Sequence, residues 1–185
     1  MSRGTGGAVL VVVDMQTVFG APGSPWASPA FDAAADGVRR LLPAFAGRTV
    51  WTRYVAPAEP EGAWREYFAQ WPFALVPADD PLYAIADGLD PAGAHVVTAT
   101  TFGKWGPELE AAVGGAGELV VAGVSTDCCV LSTVLPAADA GRRVRVVADA
   151  CAGASPEDHE RALAAMRLYA PLVEVTSVDE VLGSA

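Results

Sequence analysis

Lysine is almost absent from this 185-residue chain, in which Lys104 stands alone against eleven arginines. Positive charge is scarce altogether: 22 Asp and Glu residues leave a formal net charge of -10. That balance excludes a nucleic-acid groove or an anionic membrane surface as the natural partner. Histidine is nearly as rare, with His95 at the start of a predicted strand and His159 on a late predicted helix, so no catalytic metal is expected. Three cysteines, two of them the neighbours Cys128 and Cys129, make a poor disulfide framework and predict a reducing cytoplasm. No apolar stretch approaches the roughly 20 residues a membrane span needs. The run at Ala8 to Val13 is too short for a secretory leader and lacks its basic flank and cleavage site. A G-x-G-x-x-G fingerprint is missing after that run, which argues against a dinucleotide enzyme, and no cofactor is expected.

Apolar residues are abundant, at 52% against 18% charged, which supplies a core for one domain over residues 1–185. Short apolar runs recur at Ala8–Val13, Thr49–Thr52, His95–Val97, Glu118–Val124 and Val144–Ala148, with a weaker one at Leu172–Val175. Runs that are continuous, not alternating, predict parallel strands covered on both faces. Helical stretches lie between them. Phe31–Phe45 has amphipathic spacing, Gly106-Pro107-Glu108 opens a helix to about Val113, and a third covers Asp127 to Ala140 before Gly141. Pro136 predicts a kink in that helix. Ser155-Pro156-Glu157-Asp158 opens another, running through Leu163, Met166 and Leu168. The prediction is a doubly wound, Rossmann-like α/β sandwich with a parallel sheet. Val55 to Leu89, rich in proline and aromatics, reads as an excursion over the strand ends.

In such sheets ligands bind beyond the carboxyl ends of the strands. Asp14 ends the first strand, Lys104 follows the third and Cys129 follows the fourth, so the three can converge on one crevice. A carboxylate ending an apolar strand is costly unless it is paired or used; the alternative is a cap on the turn at Met15-Gln16. Cys129 falls in or near the first turn of a helix that Ser125, Thr126 or Asp127 could cap, where the dipole and free N–H groups favour a thiolate. The alternative there is a small buried hydrophobe. Cys128, about 100° around the helix, and Cys151 read as core. Lysine is a compact, tunable charge that arginine cannot replace beside a thiolate or carboxylate; otherwise Lys104 is a surface residue kept by chance. Phe19, Tyr54, Trp64 and Trp105 are candidate pocket walls. Arg53 could meet a substrate carboxylate or a neighbouring acid.

Four segments carry a resemblance: Val11-Val12-Val13-Asp14-Met15-Gln16; Thr98 to Phe102; Ala122-Gly123-Val124-Ser125-Thr126-Asp127-Cys128-Cys129-Val130; and Val146-Val147-Ala148-Asp149-Ala150. In this order the chain resembles the isochorismatase-like cysteine hydrolases, which include nicotinamidases, N-carbamoyl amide hydrolases and isochorismatase itself. The resemblance implies a six-stranded parallel sheet, a Cys–Asp–Lys triad (Cys129, Asp14 and a lysine) and a cis peptide before the nucleophile, at Val124–Ser125. It further implies hydrolysis of a small-molecule amide through a thioester, and a homo-oligomer, dimer or tetramer. One departure stands out: the family lysine position is Ala99 here, and Lys104 lies five residues later. Either Lys104 reaches the site from that place or Arg53 supplies the cation. Two other activities fit the same resemblance, a vinyl-ether hydrolase using Asp14 as acid and a binding module with a degenerate site.

Overall fold

The apolar runs become the strands of one sheet. A computed structural model describes residues 7–91 and 93–183. In chain order β1 (Val9–Val13), α1 (Thr17–Gly20), α2 (Phe31–Leu41), β2 (Thr49–Tyr54) and α3 (Trp64–Gln70) form the first half. Then follow β3 (His95–Ala99), α4 (Pro107–Val113), β4 (Glu118–Val124), α5 (Leu131–Asp139), β5 (Arg143–Ala152), α6 (Pro156–Arg167), β6 (Val173–Thr176) and α7 (Val178–Gly183). All neighbouring strands are parallel, in the order β3-β2-β1-β4-β5-β6. Strand order reverses between β1 and β4, and that is where a crevice opens at the carboxyl ends.

Why β1 is continuously apolar is now plain. Leu10 and Val12 pack into one core cluster with α2, while Val11 and Val13 pack into a second with α5. Each fully buried valine contributes roughly 1.5–3 kcal/mol, so a polar residue on either face of β1 would be penalised. Two glycines permit close approach. A Cβ on Gly37 would lie 2.8 Å from Ala150, so α2 can sit directly on β5. Gly123 has φ +119°, and a Cβ there would come within 2.1 Å of the Val13 carbonyl oxygen. Only glycine lets β4 run this close to the end of β1.

Several boundaries differ from expectation. β5 continues to Ala152 through Asp149, because that carboxylate turns away to accept the Val178 N–H at 2.8 Å, capping α7. Phe31–Phe45 splits into α2 and a 3-10 turn, Leu42–Phe45, with Pro43 near its start. α6 begins as predicted, with the Ser155 side chain accepting from the Asp158 N–H at 3.0 Å. It stops at Arg167, however, and Leu168 is 84% exposed, off the stripe of Ala162, Leu163 and Met166. The helix after β4 starts as a π-helical turn, Thr126–Val130, before α5. Pro136 lies within α5, which ends at Asp139, and Gly141 follows with φ +84°. Lacking an N–H, Pro136 leaves the Ser132 carbonyl without its helical donor.

Candidate active site

The site grows from the ends of β1, β2 and β4. Asp14 leaves β1 in the left-handed region, φ +49°, and its side chain is fully buried. Thr52 on β2 donates its hydroxyl to Asp14 Oδ1 at 2.6 Å and accepts the Asp14 backbone N–H at 3.2 Å. Gln16, also buried, ties the same turn down. Its amide donates to the Tyr54 and Tyr83 carbonyls at 2.9 and 2.8 Å and accepts the Tyr54 N–H at 2.7 Å. Gln16 belongs to the Asp14-Met15-Gln16 element that carries the resemblance, whereas nothing around Thr52 marks it in the sequence beyond its polarity inside apolar surroundings.

Lys104 reaches this carboxylate. Its Nζ lies 2.8 Å from Asp14 Oδ2, and both side chains are fully buried. The Thr101 and Phe102 carbonyls accept its other protons at 2.6 and 2.9 Å, and the ammonium sits 5.3 Å from the Tyr54 ring centroid. The ammonium thus combines one ion pair with two hydrogen bonds to main-chain carbonyls. The shifted position works because the loop docks on α5. A Cβ on Gly103 would lie 2.7 Å from the Ser132 carbonyl oxygen, so only glycine fits. Next to it, the Lys104 N–H donates to Thr133 Oγ1 at 3.0 Å, while the Thr133 hydroxyl donates to the Cys129 carbonyl at 2.6 Å. Arg53 is not in this site. Its guanidinium is held by Thr98 Oγ1 at 3.4 Å and the Ala78 carbonyl at 3.3 Å, and it lines no part of the cavity.

The Val124–Ser125 peptide is cis. The Ser125 carbonyl accepts the N–H groups of Cys128 and Val130 at 3.2 and 3.0 Å, which winds the turn that buries Cys129. No side chain caps this turn, contrary to expectation. The Ser125 hydroxyl is taken by Asp127 Oδ1, and Thr126 Oγ1 pairs with His159 Nδ1 at 2.8 Å. The thiolate expected at a helix start is not the resting state either. Burial pushes the Cys129 thiol well up, and the Asp14 charge adds to this while Lys104 opposes it. A desolvated thiol beside a carboxylate stays protonated until a base removes its proton.

A cavity of about 500 Å³ opens over Cys129. Phe19 and Tyr54 line it as predicted, together with Trp26, Tyr67, Trp71 and Phe102. Sequence alone does not mark the last four as walls: aromatic residues are common in cores, and only tertiary packing turns them toward a cavity. Trp64 stands behind the wall, its ring centroid 5.2 Å from Phe102 and 5.4 Å from Tyr67. Trp105 lies elsewhere, under the Arg142 guanidinium at 5.7 Å. Cys128 is not core, because the π turn presents it to the cavity beside Ser125 and Asp127. Cys151 is buried, as expected. Among the described residues no three His, Cys, Asp or Glu side chains are grouped to hold a metal ion. Nor is any helix among them long and apolar enough to cross a membrane.

Comparison with known proteins agrees with this architecture. Isochorismatase domain-containing protein 2 of Xenopus laevis is 40% identical over 73 residues, a match spanning 38% of this chain and 36% of that protein. Among solved structures, a cysteine hydrolase from Pseudomonas syringae pv. phaseolicola superposes with a TM-score of 0.83 at 18% identity, covering 96% of this chain and 93% of that one. A nicotinamidase from Bacillus subtilis gives 0.74 at 20% identity, covering 92% and 99%. These two likenesses establish the fold. Residues 8–180 match the isochorismatase domain as a family, and with that match across the sheet and its crevice the chain belongs to the isochorismatase family of hydrolases.

Proposed function

We propose that this protein hydrolyses the C–N bond of a small-molecule amide through a thioester on Cys129. The observation that carries the reading is the buried Asp14–Lys104 pair at 2.8 Å, set against a buried thiol at the floor of a cavity. Asp14 accepts the Cys129 proton and the thiolate attacks the amide carbonyl. The oxyanion is received by the backbone N–H of Cys129, between the two N–H groups that the Ser125 carbonyl engages. The C–N bond breaks as Asp14 returns its proton to the departing amine. Water then attacks the thioester, Asp14 taking its proton and passing it back to sulfur, and the acid leaves.

Lys104 lets a carboxylate and a nascent thiolate coexist, since their repulsion would otherwise keep the thiol protonated. Because the resting thiol is protonated, alkylation of Cys129 by iodoacetamide is expected to be slow at neutral pH. The reading of a degenerate binding module rested on Ala99; the contact of Lys104 with Asp14 supports an intact triad instead.

The test is ammonia release from a panel of primary amides, with intact-protein mass spectrometry of the quenched reaction. The expected result is an acyl adduct on Cys129 during turnover and loss of at least about a thousandfold in kcat for Cys129→Ala. A Cys129→Ala variant with wild-type turnover would overturn the proposal.

A further inference from the structure

The cavity has a chemical bias that the family membership does not specify. Trp26 is its hub. Its ring lies 6.1 Å from Phe19, 5.9 Å from Tyr54, 6.0 Å from Tyr67 and 6.1 Å from Trp71, centroid to centroid. With Phe102 these rings enclose a space of about 500 Å³. Among the described residues the only charged side chain lining it is Asp127, and no lysine, arginine or histidine does so. Asp127 accepts from the Ser125 hydroxyl, from the Ala154 N–H at 2.9 Å and from the Cys128 thiol at 3.5 Å. None of these donors is a cation, and Asp127 forms no ion pair with the described residues. The one nearby ammonium, Lys104, is paired with Asp14 and donates to two carbonyls. Arg53 points elsewhere.

Aromatic faces carry negative quadrupole charge and attract cations. A carboxylate at the same wall, hydrogen-bonded but paired with no cation of the described residues, adds to that field in a partly desolvated space. The phenol of Tyr67 is held neutral, pushed up to about 12 by burial and then by the neighbouring cysteines, so Asp127 is the source of negative charge on the wall. An anionic ligand would meet this field with no cation to answer it.

We propose that the acyl part of the substrate carries a positively charged group, an amine or quaternary ammonium, seated in the aromatic box with Asp127 as the residue that selects it. Carboxylate-bearing amides are rejected by the same groups. This specificity rests on the reading that the cavity over Cys129 receives the acyl group. Asp127 and Trp26 set affinity and leave bond cleavage to Cys129.

The test uses three amides that differ only in charge: para-trimethylammonio-benzamide, para-tert-butyl-benzamide and para-carboxy-benzamide. Binding is titrated by tryptophan fluorescence in full-length Cys129→Ala, which cannot acylate, and turnover is measured in wild type. The expected order is cation, neutral, anion, with the cation about tenfold tighter than its tert-butyl isostere. Asp127→Asn, which preserves the acceptor toward Ala154, should shrink that preference to about threefold or less. Trp26→Leu should do the same with Asp127 untouched. Equal binding of the cation and the isostere within about twofold, or an anion bound as tightly as the cation, overturns the proposal. The cation preference without hydrolysis of any amide would keep this inference and sink the hydrolase reading. Hydrolysis of all three without charge preference would do the reverse.

Discussion

Neutralising one member of the Asp14–Lys104 pair should damage the fold more than neutralising both. The two side chains are fully buried and 2.8 Å apart, so each charge is tolerated only because the other is present. Lys104→Met leaves the Asp14 carboxylate with the Thr52 hydroxyl and no counter-charge. Asp14→Asn leaves the ammonium with two carbonyls and no counter-charge. Stranding a buried charge costs about 3–5 kcal/mol, which for a chain of this length lowers Tm by roughly 6–20 °C. The double variant Asp14→Asn/Lys104→Met has no stranded charge. It loses the ammonium's bonds to the Thr101 and Phe102 carbonyls, but Lys104→Met loses them too, so that cost cancels in the cycle.

Asparagine is the chosen replacement because it tolerates the left-handed backbone that Asp14 adopts, φ +49°. With the double variant more stable than either single one, the coupling energy should exceed the larger single cost, about 3–5 kcal/mol. Urea unfolding of all four proteins at pH 7 measures it. If the effects of the two substitutions simply add within about 0.5 kcal/mol, the charges are not mutually dependent and the argument for a buried pair fails.

Two further outcomes follow from the geometry. Gly103→Ala sets a methyl 2.7 Å from the Ser132 carbonyl oxygen, so the loop must lift from α5 and carry Lys104 away from Asp14. A large loss of turnover and a stability cost of about 2–3 kcal/mol are expected by ammonia-release assay and urea titration, while Gly115→Ala, in open space, should change neither. Stability should also fall in alkali. Burial pushes Cys128 up to about 11, Cys151 up to about 12, and Cys129 well up, whereas an unfolded thiol titrates near about 8.5. The folded state thus retains protons that the unfolded chain sheds, and the stabilisation present below about 8.5 is lost as pH rises toward the folded values. Counting only the two fully buried thiols, Cys129 and Cys151, the slope approaches about 2.7 kcal/mol per pH unit above pH 9, and Cys151→Ala should remove half of it; a urea midpoint flat from pH 7.5 to 10 contradicts this.

The strands were legible because β-branched runs buried on both faces leave no ambiguity of period. Asp14 and Cys129 were legible because chemically demanding side chains sit at the ends of such runs. Arg53 misled as a rival cation, although strand alternation alone puts it on the opposite face of β2 from Thr52, which holds Asp14, and Tyr54, which lines the cavity. The aromatic walls were legible only in part: Phe19 and Tyr54 adjoin strands whose direction is known, whereas Trp26 and Trp71 lie in loops whose path depends on packing.

Lys104 posed the sharper problem. Counting positions from β3 put the cation in doubt, since Ala99 occupies the usual place. What decides the matter is a contact between residues far apart in sequence, in which Gly103 fits against the Ser132 carbonyl, whose usual helical donor position is occupied by Pro136. Each of those residues looks like a local defect by itself, a glycine before a lone lysine and a proline inside a helix. Together they form a seat: one removes a side chain, the other a donor, and the main chain of the lysine loop settles between them. A conflict with local propensity that recurs on two facing segments therefore signals a docked loop, and here that loop delivers the single ammonium to Asp14.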